Sequence, residues 1–174
     1  ISQMGQEIRA RLDKYIYAVD DEDMEDIVGR QLLQRQLTIA CAESCTGGLL
    51  TSRLTDVSGS SAYVKGAIVS YTNEMKHREL GVSEELLASQ GAVCEAGAAA
   101  MAEGVALQTG ADIGVGITGI AGPGGASDEK PVGLVYIAVA GREGTIVKKN
   151  IFTGRRKQIK YKTTQTALDM VRHY

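Results

Sequence analysis

The run Ala42-Glu-Ser-Cys-Thr-Gly-Gly48 sets two hydroxyls, Ser44 and Thr46, directly ahead of a glycine pair. It leaves a short apolar stretch and enters a helical pattern, the position at which open α/β sheets bind ligands. Hydroxyls placed there, with the N–H groups of Gly47 and Gly48 at a helix start, suit an anion or an oxyanion. The same residues serve equally as a plain helix cap, with Ser44 or Thr46 accepting from first-turn N–H groups. The pattern is not a Walker A loop, because the Gly-Lys-Ser/Thr ending is missing, and it is not Gly-x-Ser-x-Gly.

A second segment, Ser70-Tyr-Thr-Asn-Glu-Met-Lys76, also leaves a strand pattern. Tyr71 at the strand end and Lys76 in the first helical turn can share one rim. A partly buried lysine loses basicity and can take a proton from a hydroxyl, and Ser–Lys pairs do this without histidine. A solvated surface lysine is the simpler reading of the same spacing. Only two histidines, His77 and His173, are present, which leaves little for a Ser-His-Asp triad or a His-based metal site. His77 reads as a surface residue.

The third segment is Thr118-Gly-Ile-Ala-Gly-Pro-Gly-Gly125, followed by Asp128-Glu-Lys-Pro-Val-Gly133. Its glycines can bring backbone N–H groups close to a phosphate, or simply make a flexible connection. Arg155-Arg156-Lys157 can add a counter-charge, or form a solvated helix face.

These segments need a scaffold, and the chain is long enough to supply one. At 174 residues, 44% hydrophobic and 23% charged, it has the size and balance of one globular domain. A net charge of −2 carries no global nucleic-acid signature, no apolar run reaches the ~20 residues that cross a bilayer, and no signal-peptide pattern opens the chain. Three cysteines (Cys41, Cys45, Cys94) form no CxxC pair and no zinc spacing, so reduced thiols in a cytoplasmic protein are expected. Charge is uneven along the chain. Residues 20–26 hold six carboxylates, and 142–174 hold nine Lys/Arg against two acids.

Periodicity predicts a helix over 4–18 with Ile8, Leu12 and Tyr15–Ile16 on one stripe, then a second helix opening in the acidic run. Strands are expected at 37–42, about 62–71, 111–118, 132–139 and 145–152. The last two are separated only by Gly141-Arg-Glu-Gly144 and should form an antiparallel hairpin. Helices are expected after Gly48, from Asn73, over 84–90 with Ser83 as cap, over 95–109, and over 155–173. The expected fold is a three-layer α/β/α sandwich with a mixed sheet of about five strands.

Taken together, Ala42-Glu-Ser-Cys-Thr-Gly-Gly48, Gly59-Ser-Ser61, Tyr71-Thr-Asn73 with Lys76, Gly91-Ala-Val93, Thr118-Gly-Ile-Ala-Gly-Pro123 and Lys130-Pro-Val-Gly133 resemble the CinA C-terminal family, the nicotinamide mononucleotide deamidases. The resemblance covers about 35–173. It implies an amidohydrolase that converts nicotinamide mononucleotide to nicotinate mononucleotide and ammonia, with no cofactor and no metal. It places the nucleophile at Ser44, the base at Lys76 and an assisting hydroxyl at Tyr71. Implied substrate contacts are Thr46, Gly47 and Gly48, then Asn73, then Thr118, Gly119, Ala121 and Gly122, with Arg156 from the last helix. Residues 1–35 resemble the segment that precedes this domain in longer CinA proteins, so 36–174 is the expected domain and the chain an expected C-terminal piece. The sequence departs from the family pattern at Thr72, Cys94, Arg155 and Lys160. A small nucleotide substrate and a homodimer are expected, with no nucleic-acid or membrane partner. A non-catalytic nucleotide-binding regulatory module and a hydrolase using Cys45 are the alternatives.

Overall fold

The computed structural model describes residues 2–12 and 16–174. Five strands, β1 (Ile39–Glu43), β2 (Val64–Val69), β3 (Ile113–Gly119), β4 (Leu134–Gly141) and β5 (Gly144–Ile151), form one sheet in the order β2-β1-β3-β4-β5. β1 runs parallel to both β2 and β3, whereas β4 and β5 are antiparallel additions, so the sheet is mixed as expected. Helices α2 (Met24–Arg35), α3 (Leu49–Asp56) and α7 (Arg156–His173) cover one face. On the other lie α4 (Asn73–Leu80), α5 (Glu84–Ser89) and α6 (Glu95–Thr109). The fold is the α/β/α sandwich that the sequence predicts. Among the described residues, no helix is long and apolar enough to cross a membrane.

Strand alternation sorts the sheet by side-chain size. Ile39 and Cys41, then Ile113, Val115 and Ile117, then Val135, Ile137 and Val139 pack toward α2, α3 and α7. The intervening positions are Ala40 and Ala42, Gly114 and Gly116, Ala138 and Ala140, and they face α6. Large residues on one face and Ala or Gly on the other let the alanine-rich α6 approach the backbone of β3. A methyl group on Gly116 would strike the Ala98 carbonyl oxygen. Gly116→Ala is therefore expected to lower stability by about 1–3 kcal/mol, read as an earlier urea midpoint. An unchanged midpoint would show that α6 can slide away from the sheet at no cost.

The expected extent of the first helix is corrected. The first helix, α1, spans Ser2–Leu12 rather than 4–18; Tyr15 lies outside the described residues, and Ile16 onward is irregular. Its apolar stripe does not reach the core, since Ile8 and Leu12 are exposed. The segment before the expected boundary at 36 packs on the domain. α2 buries Met24, Val28 and Leu32 in the main core, and Arg53 of α3 pairs through two nitrogens with Glu25 of α2 at 3.0 and 2.6 Å. The same guanidinium donates to Thr164 and Gln165 of α7, tying three helices together.

Candidate active site

β1 ends in Glu43, and alternation turns its side chain toward the α3 face. There the carboxylate is fully buried and accepts from the Leu50 N–H at 3.1 Å, the Thr51 N–H at 2.9 Å and the Thr51 hydroxyl at 2.7 Å. An acid one residue before the loop thus occupies the N-terminus of α3, where Gly48 stands at the cap position with no side-chain bond. Gly47 and Gly48 both take positive φ, 61° and 89°, which lets the chain reverse between strand and helix. Neither Ser44 nor Thr46 caps the helix.

One residue further, Ser44 emerges on the opposite face, where α4 waits. Thr72 caps α4 by accepting from the Met75 N–H at 3.2 Å, and its buried positions are Lys76 and Leu80, four apart on one side. Lys76 is only 2% exposed, so it is not a surface lysine. Its Nζ donates to the Ser70 carbonyl at 2.7 Å and to Ser44 Oγ at 3.1 Å. Burial pulls the Lys76 ammonium below the ordinary lysine range. Once Lys76 gives up its proton, the same contact lets the amine accept the Ser44 hydroxyl proton, which is what a general base requires.

Ser44 and Lys76 open onto a cavity of about 280 Å³. Tyr71 and Asn73 line one side, Ala92 and Val93 another, and Thr118 through Gly122 with Gly124 and Gly125 a third. Arg156 closes the ring, donating to the Gly122 carbonyl and to the Tyr71 hydroxyl, both at 2.8 Å. Tyr71 is 59% exposed and engaged with Arg156; its hydroxyl makes no bond to the Ser44–Lys76 pair. The glycine-rich segment is anchored rather than loose. Ile120 and Gly133 exchange backbone bonds with the start of β4 and with each other's segment at 2.8 and 2.7 Å, and Lys130 Nζ reaches the Gln90 carbonyl at 2.5 Å.

Of the residues picked from the sequence, Ser44, Tyr71, Lys76, Asn73, Thr118, Gly119, Ala121, Gly122 and Arg156 lie together on this cavity. Thr46, Gly47 and Gly48 do not line it. The Gly47 N–H is spent on the Ser44 carbonyl at 3.1 Å, and the helix start behind it already holds the Glu43 carboxylate, which repels a second anion. Sequence reasoning missed Glu43, although an acid seven residues before a helical turn of unsatisfied N–H groups was a signal. It quoted Ser70, Ala92 and Val93 without a role; the Ser70 carbonyl orients Lys76, and the other two form a wall of the cavity.

Cys45 lies on the cavity wall, yet burial pushes its thiol up to about 12, which leaves it protonated and a poor nucleophile at neutral pH. Among the described residues no three His, Cys, Asp or Glu side chains converge as a metal site would need. Three buried hydroxyls among the described residues make no hydrogen bond: Thr46, Ser70 and Thr118. All three belong to the segments that build this site.

Comparison with known proteins identifies a family for nearly all of the chain. The CinA C-terminal domain model matches residues 21–174. A Moorella thermoacetica protein named as competence-damage inducible is 53% identical over 161 residues, which is 92% of this chain and 39% of that protein. One from Desulforamulus reducens is 47% identical over 174 residues, 100% of this chain and 42% of its own length. The chain thus spans about two fifths of the curated relatives it matches. Among solved structures, the competence/damage inducible protein CihA of Agrobacterium tumefaciens superposes with a TM-score of 0.80 at 40% identity, covering 88% of this chain and 96% of that one. An Escherichia coli CinA superfamily protein gives 0.84 at 28% identity, covering 94% and 99%. By sequence, by fold and along nearly its whole length, the chain belongs to the CinA C-terminal domain family.

Proposed function

We propose that this domain is a metal-independent amidohydrolase that converts nicotinamide mononucleotide to nicotinate mononucleotide and ammonia. The observation that carries the reading is the buried Lys76 Nζ at 3.1 Å from Ser44 Oγ, at the floor of a cavity that ends in Arg156. Neutral Lys76 takes the Ser44 proton as Oγ bonds to the carboxamide carbon, and the carbonyl π pair moves to oxygen. Collapse of that oxyanion breaks the C–N bond. The departing nitrogen takes the proton from the Lys76 ammonium and leaves as ammonia. Water, deprotonated by Lys76, then attacks the Ser44 ester; the acid departs and the proton returns to Ser44. The role of Tyr71 in this reading is to hold Arg156 at the cavity mouth, with any part in proton transfer secondary.

The anionic end of the substrate belongs at Arg156 and the glycine segment, away from the α3 N-terminus that Glu43 occupies. Charge-assisted bonds from a guanidinium to a phosphate are among the stronger polar contacts available. Nicotinamide riboside, which lacks the phosphate, is therefore expected to show kcat/KM lower by about 10²-fold or more, followed as ammonia release. Equal kcat/KM for the two compounds would remove phosphate recognition from the scheme. Tight binding of the nucleotide without any ammonia would turn the reading into that of a regulatory binding module.

A further inference from the structure

We propose that the Thr118 hydroxyl is the side-chain donor that stabilises the oxyanion formed when Ser44 attacks a carboxamide, an assignment that rests on the amidohydrolase reading. Ser44 and Thr118 follow directly on the paired residues Glu43 and Ile117 of the neighbouring parallel strands β1 and β3. Glu43 and Ile117 face the α3 side, and Gly116 faces α6, so alternation brings Ser44 and Thr118 out on the same face. Thr118 is 1% exposed and lines the cavity, and its hydroxyl has no hydrogen-bond partner. Of the three unpaired hydroxyls it alone is on the cavity wall, since Thr46 and Ser70 are not.

Several backbone donors of the 44–51 segment are committed. The Ser44 N–H, a usual contributor to an oxyanion hole, donates to the Ile117 carbonyl at 3.0 Å. Gly47 N–H is held by the Ser44 carbonyl, and the Leu50 and Thr51 N–H groups by Glu43. A buried hydroxyl without a partner is unfavourable in the free protein, and an acceptor arriving beside Ser44 relieves that. A neutral amide oxygen is a modest acceptor and an oxyanion a strong one, so the gain is largest in the transition state. Thr118 keeps its proton throughout, and the donor geometry is released when the carbonyl re-forms.

The test compares wild type, Thr118→Val and Thr118→Ser for ammonia release from nicotinamide mononucleotide and for thermal unfolding without substrate. Valine keeps the shape and removes only the hydroxyl. Thr118→Val is expected to lose about 10²-fold in kcat with little change in KM, the size of effect typical of one oxyanion donor. Its Tm should equal or exceed that of wild type, because no bond is lost, and Thr118→Ser should regain most of the rate. A wild-type kcat in Thr118→Val overturns the assignment, and so does a Tm loss that accompanies the activity loss, since the hydroxyl would then have a structural partner. No turnover by wild type overturns this assignment together with the amidohydrolase reading, whereas turnover by wild type and an unaffected valine variant overturns only the role of Thr118.

Discussion

Ser44→Ala is expected to lower ammonia release from nicotinamide mononucleotide by more than ~10³-fold while leaving KM and Tm close to wild type. The size follows from the chemistry: without Oγ there is no covalent intermediate, and the residual rate is whatever Lys76 and the cavity lend to direct attack by water. The fold should tolerate the change, because the Ser44 side chain accepts one bond, from Lys76, which keeps its stronger contact with the Ser70 carbonyl at 2.7 Å. Wild-type protein stopped early in the reaction should carry the mass of one acyl group, and Ser44→Ala none. Cys45→Ala provides the control. With its thiol protonated, that variant should retain turnover. Activity surviving in Ser44→Ala and lost in Cys45→Ala would transfer the nucleophile to the thiol.

Lys76 carries the second large effect, and it shows in pH. As a base it must be neutral, so kcat/KM should rise with pH along one ionisation that lies below the ordinary lysine value of about 10.4. Lys76→Arg keeps the charge and cannot release a proton at any usable pH, so its rate should fall by more than ~10³-fold, as for Lys76→Met. A near wild-type rate in the arginine variant would make the lysine a charge anchor only. The same shift has a consequence for stability. Burial disfavours the charged form in the folded state, so between the lowered pKa and about 10.4 the unfolded chain binds more protons than the folded one. Stability should thus increase as pH rises through that window. Lys76→Met should flatten this contribution to the pH dependence of Tm.

Most of the fold was legible because the strands announce themselves. Short apolar runs located all five, and Gly141-Arg-Glu-Gly144 gave the β4–β5 hairpin. The N-terminal helix is present, yet periodicity records an apolar stripe and not its partner; Ile8 and Leu12 have the right spacing and remain exposed. Ser44 and Lys76 could be read as a pair from residue type, but their contact depends on β1, β2 and α4 meeting, which no local spacing encodes. Gly47 and Gly48 stand apart from the cavity for another reason. A glycine pair before a helix is an anion signal only while the helix start is unoccupied, and Glu43 occupies it from the preceding strand. Acids in that position deserve weighing before any phosphate is placed on such a loop. The Arg156 bridge was half visible, as a cation at a helix start whose partners, Gly122 and Tyr71, lie far away in sequence.

The sheet order β2-β1-β3-β4-β5 has a consequence for how the molecule acquires its chemistry. Ser44, Lys76 and Thr118 come from three stretches of chain that meet only when β1 has paired with β2 on one side and β3 on the other. Both pairings are parallel and non-local, the kind that forms slowly because a long loop must close before any contact rewards it. The β4–β5 hairpin, by contrast, can form within a few residues of its turn. A refolding chain should therefore recover β-structure signal from the hairpin before it recovers catalysis, and the return of activity should coincide with closure of the central parallel strands. The Ser44–Lys76–Thr118 cluster should form late in folding, assembled as a unit and lost as one.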